Sequence, residues 1–295
     1  MIVITTPTGA IGRQVLDPLL ESGEPVRVIA RDPSHLRAQV RERVDVVQGS
    51  HGDAEVVDRA FAGADAVFWV VPPNPRAESL DAAYVDFTRP ASEAFRRQGV
   101  GHVVGVSALG RGVASNAGLV TASLAMDDLI AGSGVAYRAL ALPSFFDNLL
   151  RQVDSIRSQG IFFSPLSGDR RHPGCATRDI AAAAVRLLRD RSWSGQGSVP
   201  VLGPEDLSLN EMAETISQAL GRPVRFQHVP ADAFREQLLA HGTSPAMAQG
   251  MVDMMTAKEQ GLDDAEPRTV ESSSPTPFRQ WCEEVLKPAV LGTAG

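Results

Sequence analysis

Lysine occurs only twice in this chain of 295 residues, at Lys258 and Lys287, although lysine and arginine together number 28. Tyrosine is as scarce, at Tyr84 and Tyr137, and the residues four positions further on are Thr88 and Ala141. A local Tyr-x-x-x-Lys pair, in which the cation lowers the phenol pKa so that it can pass a proton near neutrality, is therefore excluded. The two cysteines, Cys175 and Cys282, lie far apart and form no C-x-x-C, so neither a zinc site nor a disulfide framework is expected, and no metal. They read as small buried apolar groups. No run of eighteen apolar residues exists, so no membrane span is expected. The formal charge of -7 argues against nucleic acid, whose phosphates demand clustered positive charge. The first strand opens at residue two, which leaves no room for a signal peptide, and a cytoplasmic location is the expectation.

What is present is an alternation. Short β-branched runs at Met1 to Ile4, Val26 to Ala30, Val44 to Val47, Ala66 to Val71, His102 to Val106 and Val135 to Leu142 read as buried strands. Helical stretches lie between them, one containing Pro90, which should kink or restart it. Strands alternating with helices imply right-handed crossovers and a doubly wound parallel α/β sheet covered on both faces. Beyond about residue 145 the rhythm loosens. The expected division is a first domain over 1–150, to which 170–192 returns, and a smaller α+β cap from 151–169 and 193–295. Asp32 before Pro33 reads as a helix cap, Ser208 with Glu211 as a capping box closed by Gly221, and Thr276 as a cap before Pro277.

The first strand runs into Thr5-Thr6-Pro7-Thr8-Gly9-Ala10-Ile11-Gly12. In a G-x-x-G-x-x-G turn the first glycine keeps the corner tight, the second lets the backbone approach a pyrophosphate, and the third lets helix and strand pack closely. Gly9 and Gly12 supply the second and third, whereas Thr6 stands at the first corner. The helix start can still offer N–H groups to an anion, which makes the sheet a Rossmann-type dinucleotide fold. Read without a ligand, the two glycines serve only close packing. At the end of the second strand an acid would bind the ribose of NAD, whereas an arginine accommodates the 2′-phosphate of NADP. Here Arg31 occupies that end and Arg13 follows Gly12, so NADP(H) is the expected cofactor; the alternative is a pair of solvated arginines.

With these residues the chain resembles the NmrA-like group of atypical short-chain dehydrogenases, whose members include quinone and triphenylmethane reductases and redox-sensing NADP binders. The likeness covers nearly the whole chain. The family's TGATGxxG resembles Thr5 to Gly12, with departures at Thr6 and Pro7, and its VRALVR resembles "VRVIAR", which implies that Arg31 meets the 2′-phosphate. The resemblance implies Thr6, Thr8, Gly9, Ala10, Ile11, Gly12 and Arg13 around the pyrophosphate, and Val71 and Pro72 beside the cofactor. It also implies Ser107 at the fifth strand's end, Pro143, Ser144 and Phe145 flanking the nicotinamide, and Phe146 and Asn148 turned toward substrate. The family's GD after the third strand is Gly49-Ser50 here, with Asp53 displaced, and Ser123 and Asp127 stand where many members carry a lysine and an acid.

Hydride transfer itself needs no protein acid, because the cofactor carries that chemistry. Ser107 is the candidate hydroxyl for polarising a substrate, and Asp127 a proton carrier behind it; the plainer readings are a hydroxyl bonded to the sheet edge and a solvated helix acid. His172 reads as a surface histidine. Met247, Met251, Met254 and Met255 form an adaptable apolar stripe, from which Met251 and Met255 could meet a flat aromatic substrate; the stripe would equally serve cap core or the contact of a homodimer. The expected activity is NADPH-dependent reduction of a small conjugated or aromatic carbonyl compound such as a quinone. The alternatives are a non-catalytic NADP-binding redox-sensing regulator and a non-redox enzyme on a dehydrogenase scaffold.

Overall fold

The structure, a computed structural model, describes residues 1–292. Strands β1 (Ile2–Ile4), β2 (Val26–Ala30), β3 (Asp45–Gln48), β4 (Ala66–Trp69), β5 (His102–Ala108) and β6 (Ala136–Leu142) alternate with helices. The helices are α1 (Gly12–Glu21), α2 (Ala38–Arg41), α3 (Ala54–Phe61), α4 (Phe87–Arg97) and α5 (Leu119–Gly132). Then come β7 (Ser144–Phe145), α6 (Val153–Gln159), β8 (Ile161–Ser164), β9 (His172–Cys175), α7 (Thr177–Arg189), β10 (Gln196–Pro200) and β11 (Asp206–Leu207). The chain closes with α8 (Leu209–Leu220), β12 (Arg225–His228), α9 (Ala231–Ala240), α10 (Pro245–Glu259), α11 (Phe278–Trp281) and α12 (Lys287–Leu291).

The main sheet has the order β3-β2-β1-β4-β5-β6-β10, and β3 through β5 in that order are parallel. β1 and β4 are fully buried, as expected of central strands covered by helices on both faces. The chain winds outward from β1 to β3 and then returns to place β4 on the other side of β1. That reversal opens the crevice at the carboxyl ends of β1 and β4 where doubly wound sheets bind ligands.

One compact unit comprises Met1–Ala108, Thr121–Ala141 and Ile180–Val199; the other comprises Leu109–Val120, Leu142–Asp179 and the chain from Pro200 onward. These bounds differ from a division near residue 150. Residues 193–199 fall in the first unit because β10 joins the large sheet beside β6. The first unit's core includes the stacked rings of Phe61 and Phe95, 5.0 Å apart, with Trp69 edge-on to Phe95. The second has its own core around Phe146, Phe162, Ile216, Phe278 and Trp281. Cys175 and Cys282 are buried free thiols, and burial pushes both pKa values up.

Several local expectations hold. Asp32 accepts from the Ser34 N–H at 2.9 Å, and Ser208 and Glu211 form a reciprocal capping box on α8, closed by Gly221 at φ +67°. Two others need correction. The restart associated with Pro90 falls upstream, where Ala82–Asp86 forms a wider π turn that runs into α4. A proline has no N–H for the carbonyl four residues back, and a widened turn absorbs the defect. Thr276 does not cap α11: its N–H and hydroxyl both donate to the buried Asp179 carboxylate, at 3.1 and 2.8 Å, and Pro277 takes the cap position.

Candidate functional site

Four parallel strands, β1, β2, β4 and β5, deliver their carboxyl ends to one edge of the sheet, and most of the sequence-predicted cofactor residues of the first unit follow them. The β1–α1 corner turns at Thr6, which adopts φ +48°, a left-handed conformation unfavourable for a β-branched residue. Thr6 therefore performs the turn usually assigned to glycine. Its carbonyl accepts the Gly9 N–H at 2.9 Å and sits so close to Gly12 that a Cβ there would lie 2.1 Å from it. Only glycine fits at position 12, because the helix start passes directly over the corner.

Helix α1 begins with no side-chain cap and no acid in its first turn. The Arg13 and Gln14 N–H groups donate to the Gly9 and Ile11 carbonyls at 3.1 and 2.9 Å, and the positive dipole end of the helix faces the loop with no acid to neutralise it. Gly9 is half-buried, Thr8 and Ala10 are exposed, and Ile11 is buried beneath the loop. Arg13 and Arg31 are both exposed, and neither has an ion-pair partner among the described residues. Two uncommitted guanidiniums beside a helix N-terminus suit a pyrophosphate and a 2′-phosphate, so the residues present fit NADP(H). Val71 and Pro72, half-buried, follow β4 at the same edge.

The loop after β3 holds a residue that sequence reasoning missed. His51 is buried, its Nε2 lies 2.9 Å from the Val70 carbonyl, and its ring stands edge-on to Trp69 and Phe87. Burial, with a smaller contribution from the Arg31 charge, lowers its pKa to about 4, so it is neutral near pH 7. Gly52 makes room for Phe87, whose ring would meet a Cβ at 2.5 Å. Asp53 caps α3 by accepting from the Glu55 N–H at 2.9 Å.

At the end of β5 the structure assembles four polar side chains inside the first unit. Ser107 donates to Asp127 Oδ2 at 2.5 Å, and Tyr137 donates to Asp127 Oδ1 at 2.6 Å. Ser123, one turn before Asp127 on α5, places its hydroxyl 3.5 Å from that of Ser107. Ser107 is 7% exposed, Asp127 2% and Tyr137 2%. The solvated-acid reading of Asp127 is thereby corrected: the residue faces the sheet because Met126 and Ile130, its neighbours on α5, pack into the core. Each oxygen of this buried carboxylate thus accepts from a hydroxyl on a different strand. Tyr137 has no lysine four residues on, and its partner is an acid on the preceding helix, ten residues back, which no local motif marks.

In the second unit the remaining candidates are dispersed. Pro143 is buried, Ser144 and Phe145 are half-buried on β7, and Asn148 is exposed. Phe146 is a correction: it is 4% exposed and its ring lies 5.0 Å from that of Phe278, so it fills the core instead of facing substrate. Met247 is buried, while Met251 and Met255 are half-buried on α10. Met255 lines a cavity of about 150 Å³ with Pro165, Ala231, Val252 and Glu259. His172 is a second correction, since its side chain is only 9% exposed, 3.9 Å from Glu259. Its place on β9 turns the ring inward, and burial lowers its pKa.

Comparison with known proteins gives this geometry its context. A profile of the NAD(P)H-binding family matches residues 7–191. The chain is 33% identical over 290 residues to a (4-alkanoyl-5-oxo-2,5-dihydrofuran-3-yl)methyl phosphate reductase of Streptomyces griseus subsp. griseus, covering 96% of this chain and 97% of that protein. It is 29% identical over 254 residues to an NAD(P)H azoreductase of Xenophilus azovorans, covering 86% of each. Its fold is similar to that of an NADPH-dependent quinone oxidoreductase from Escherichia coli solved with NADPH, with a TM-score of 0.78, 21% identity and 99% of each chain covered. No helix among the described residues is long and apolar enough to cross a membrane.

Proposed function

Because this chain belongs to the NAD(P)H-binding family and is an NAD(P)H-dependent oxidoreductase of the NmrA-like, atypical short-chain dehydrogenase kind, we propose that it uses NADPH to reduce a small conjugated carbonyl compound, a quinone or an unsaturated lactone. The reduced nicotinamide, when bound, supplies the hydride. The N-terminus of α1 holds the pyrophosphate, and Arg31 with Arg13 holds the 2′-phosphate. The observation that carries the reading is the hydrogen bond of 2.5 Å between Ser107 and Asp127, buried at the carboxyl end of β5. Ser107 donates to the substrate oxygen. As that oxygen gains charge, the Ser107 Oγ proton passes to it and a proton on Asp127 Oδ2 passes to Ser107. Asp127 enters the step protonated, its Oδ2–H donating to Ser107 in the reverse sense of the bond that its carboxylate accepts, leaves the step as a carboxylate and is recharged from solvent. No tyrosine–lysine pair takes part: the Tyr137 hydroxyl donates to Asp127, and the Lys258 ammonium binds Asp263 at 2.6 Å.

The names of the relatives support the substrate class. The Streptomyces protein's dihydrofuranone carries a ring double bond beside its carbonyl, and the Escherichia coli protein is named for a quinone, so both names contain a conjugated carbonyl. The test is fluorescence titration with NADPH, followed by nicotinamide absorbance against a panel of quinones and unsaturated lactones. The expected result is binding with turnover, a loss of about a hundredfold in kcat for Ser107→Ala, and a loss of about tenfold in NADPH affinity but not NADH affinity for Arg31→Ala. Tight NADPH binding with no oxidation across the panel would replace this reading with that of a redox-sensing regulator.

A further inference from the structure

We propose that Tyr137 is a positioning residue for the proton-transfer step, fixing the Asp127 carboxyl and setting how readily it recharges Ser107. The inference rests on the roles of Ser107 and Asp127 given above and adds a residue that they do not require. The two carboxyl oxygens have separate assignments: Oδ2 to Ser107 on β5, Oδ1 to Tyr137 on β6. Turning Oδ2 away from Ser107 would break the phenol bond, so Tyr137 holds the carboxyl in the rotamer that faces the serine.

A second observation shows that β5 is shaped around this contact. Gly105, two residues before Ser107 in the middle of β5, faces the phenol. A Cβ at that position would lie 2.3 Å from the Tyr137 hydroxyl oxygen and 2.8 and 2.9 Å from two ring carbons. Glycine weakens a strand interior and marks a close approach, and here the approach is that of the hydroxyl itself. The ring alone needs part of this clearance, but the closest approach is that of the hydroxyl, which a ring serving only the core would not need. Once buried, the hydroxyl must find a partner, and its partner is the acid.

The consequence is electrostatic. Each hydroxyl donated to the carboxylate favours its ionised form over its protonated form. Ser107 from β5 and Tyr137 from β6 donate to Asp127, and Ser123 on its own helix has its hydroxyl 3.5 Å from that of Ser107; Ser92 on α4 is turned to the Leu129 carbonyl, and Asp128 is exposed. Removing the phenol hydroxyl therefore raises the proton affinity of Asp127. The acid stays protonated to higher pH and gives up its proton less readily.

The experiment compares wild type with Tyr137→Phe, which keeps the ring, and Gly105→Ala, which keeps the hydroxyl but drives it off its seat. Two readouts are taken: the pH profile of kcat/KM, and infrared difference titration of the Asp127 carboxyl with Asp127→Asn as the blank. Both variants should move the alkaline limb and the carboxyl titration upward together, by about one pH unit, with a fall in kcat and little change in KM. The infrared titration reads the same shift even if no compound in the panel is reduced. If Asp127→Asn keeps the wild-type limb, the proton relay falls and this inference with it. If Asp127→Asn loses the limb while Tyr137→Phe and Gly105→Ala keep both readouts in place, the relay stands and the role of Tyr137 alone is refuted.

Discussion

His51 shows what one buried titratable side chain does to the pH range of a protein. Wedged edge-on between Trp69 and Phe87, it has a folded-state pKa of about 4 against an ordinary value of 6.5. The unfolded chain thus binds the proton first as pH falls. The stability contributed by the neutral ring is complete above pH 6.5 and is lost progressively toward pH 4, in total about 3 kcal/mol. Denaturant titrations of wild type and His51→Gln between pH 7 and pH 4 should show wild type losing that much more stability over the interval. Parallel curves would mean that His51 titrates in the fold as it does in the unfolded chain. No motif flags His51, because a single histidine in a loop carries no pattern; its burial follows from β4 and α4 closing over it.

At the scale of the element, the β1–α1 corner divides its work between two residues. Thr6 carries the left-handed turn at a cost of about 1–2 kcal/mol, and Gly12 provides the clearance. Thr6→Gly should therefore raise stability by about 1 kcal/mol and leave NADPH affinity within a few-fold of wild type. Gly12→Ala should lower stability by about 1–3 kcal/mol and weaken NADPH, because its methyl must push the corner or the helix aside. Thermal melts and titrations on the two variants check both. A Thr6→Gly variant that loses NADPH would show that the threonine side chain, not the turn, holds the cofactor. Ser107 and Asp127 also belong to this scale. Their presence on β5 and α5 was legible from sequence; that α5 turns Asp127 inward was not.

Across the molecule, contacts distant in sequence hold each unit. In the second unit the buried Asp179 carboxylate accepts from the backbone and hydroxyl of Thr276, 97 residues away, tying the first turn of α7 to the segment before α11. Thr276→Val removes one donor and leaves the carboxylate under-satisfied, which should cost about 1.5–3 kcal/mol in denaturant unfolding, while Thr276→Ser should be nearly neutral. A loss in Thr276→Ser with Thr276→Val nearly neutral would point to packing of the methyl group instead. Gly118 is a further such contact: at φ +51° it lies so close to α10 that a Cβ would stand 1.9 Å from the Gly250 carbonyl.

By itself the sequence determined the parallel sheet, the strand-turn-helix with Gly9 and Gly12, the arginine at the end of β2 and the scarcity of lysine and tyrosine that bars a local Tyr-x-x-x-Lys pair. All of these depend on residues within a few positions of one another, where periodicity and backbone sterics act directly. Tertiary structure alone decided that Asp127 is buried between Ser107 and Tyr137, that Phe146 and His172 turn inward, and that Thr276 binds Asp179 instead of capping a helix. These outcomes rest on which faces of separate elements meet. That choice is made by the burial of large apolar side chains across the whole chain, and no local spacing records it.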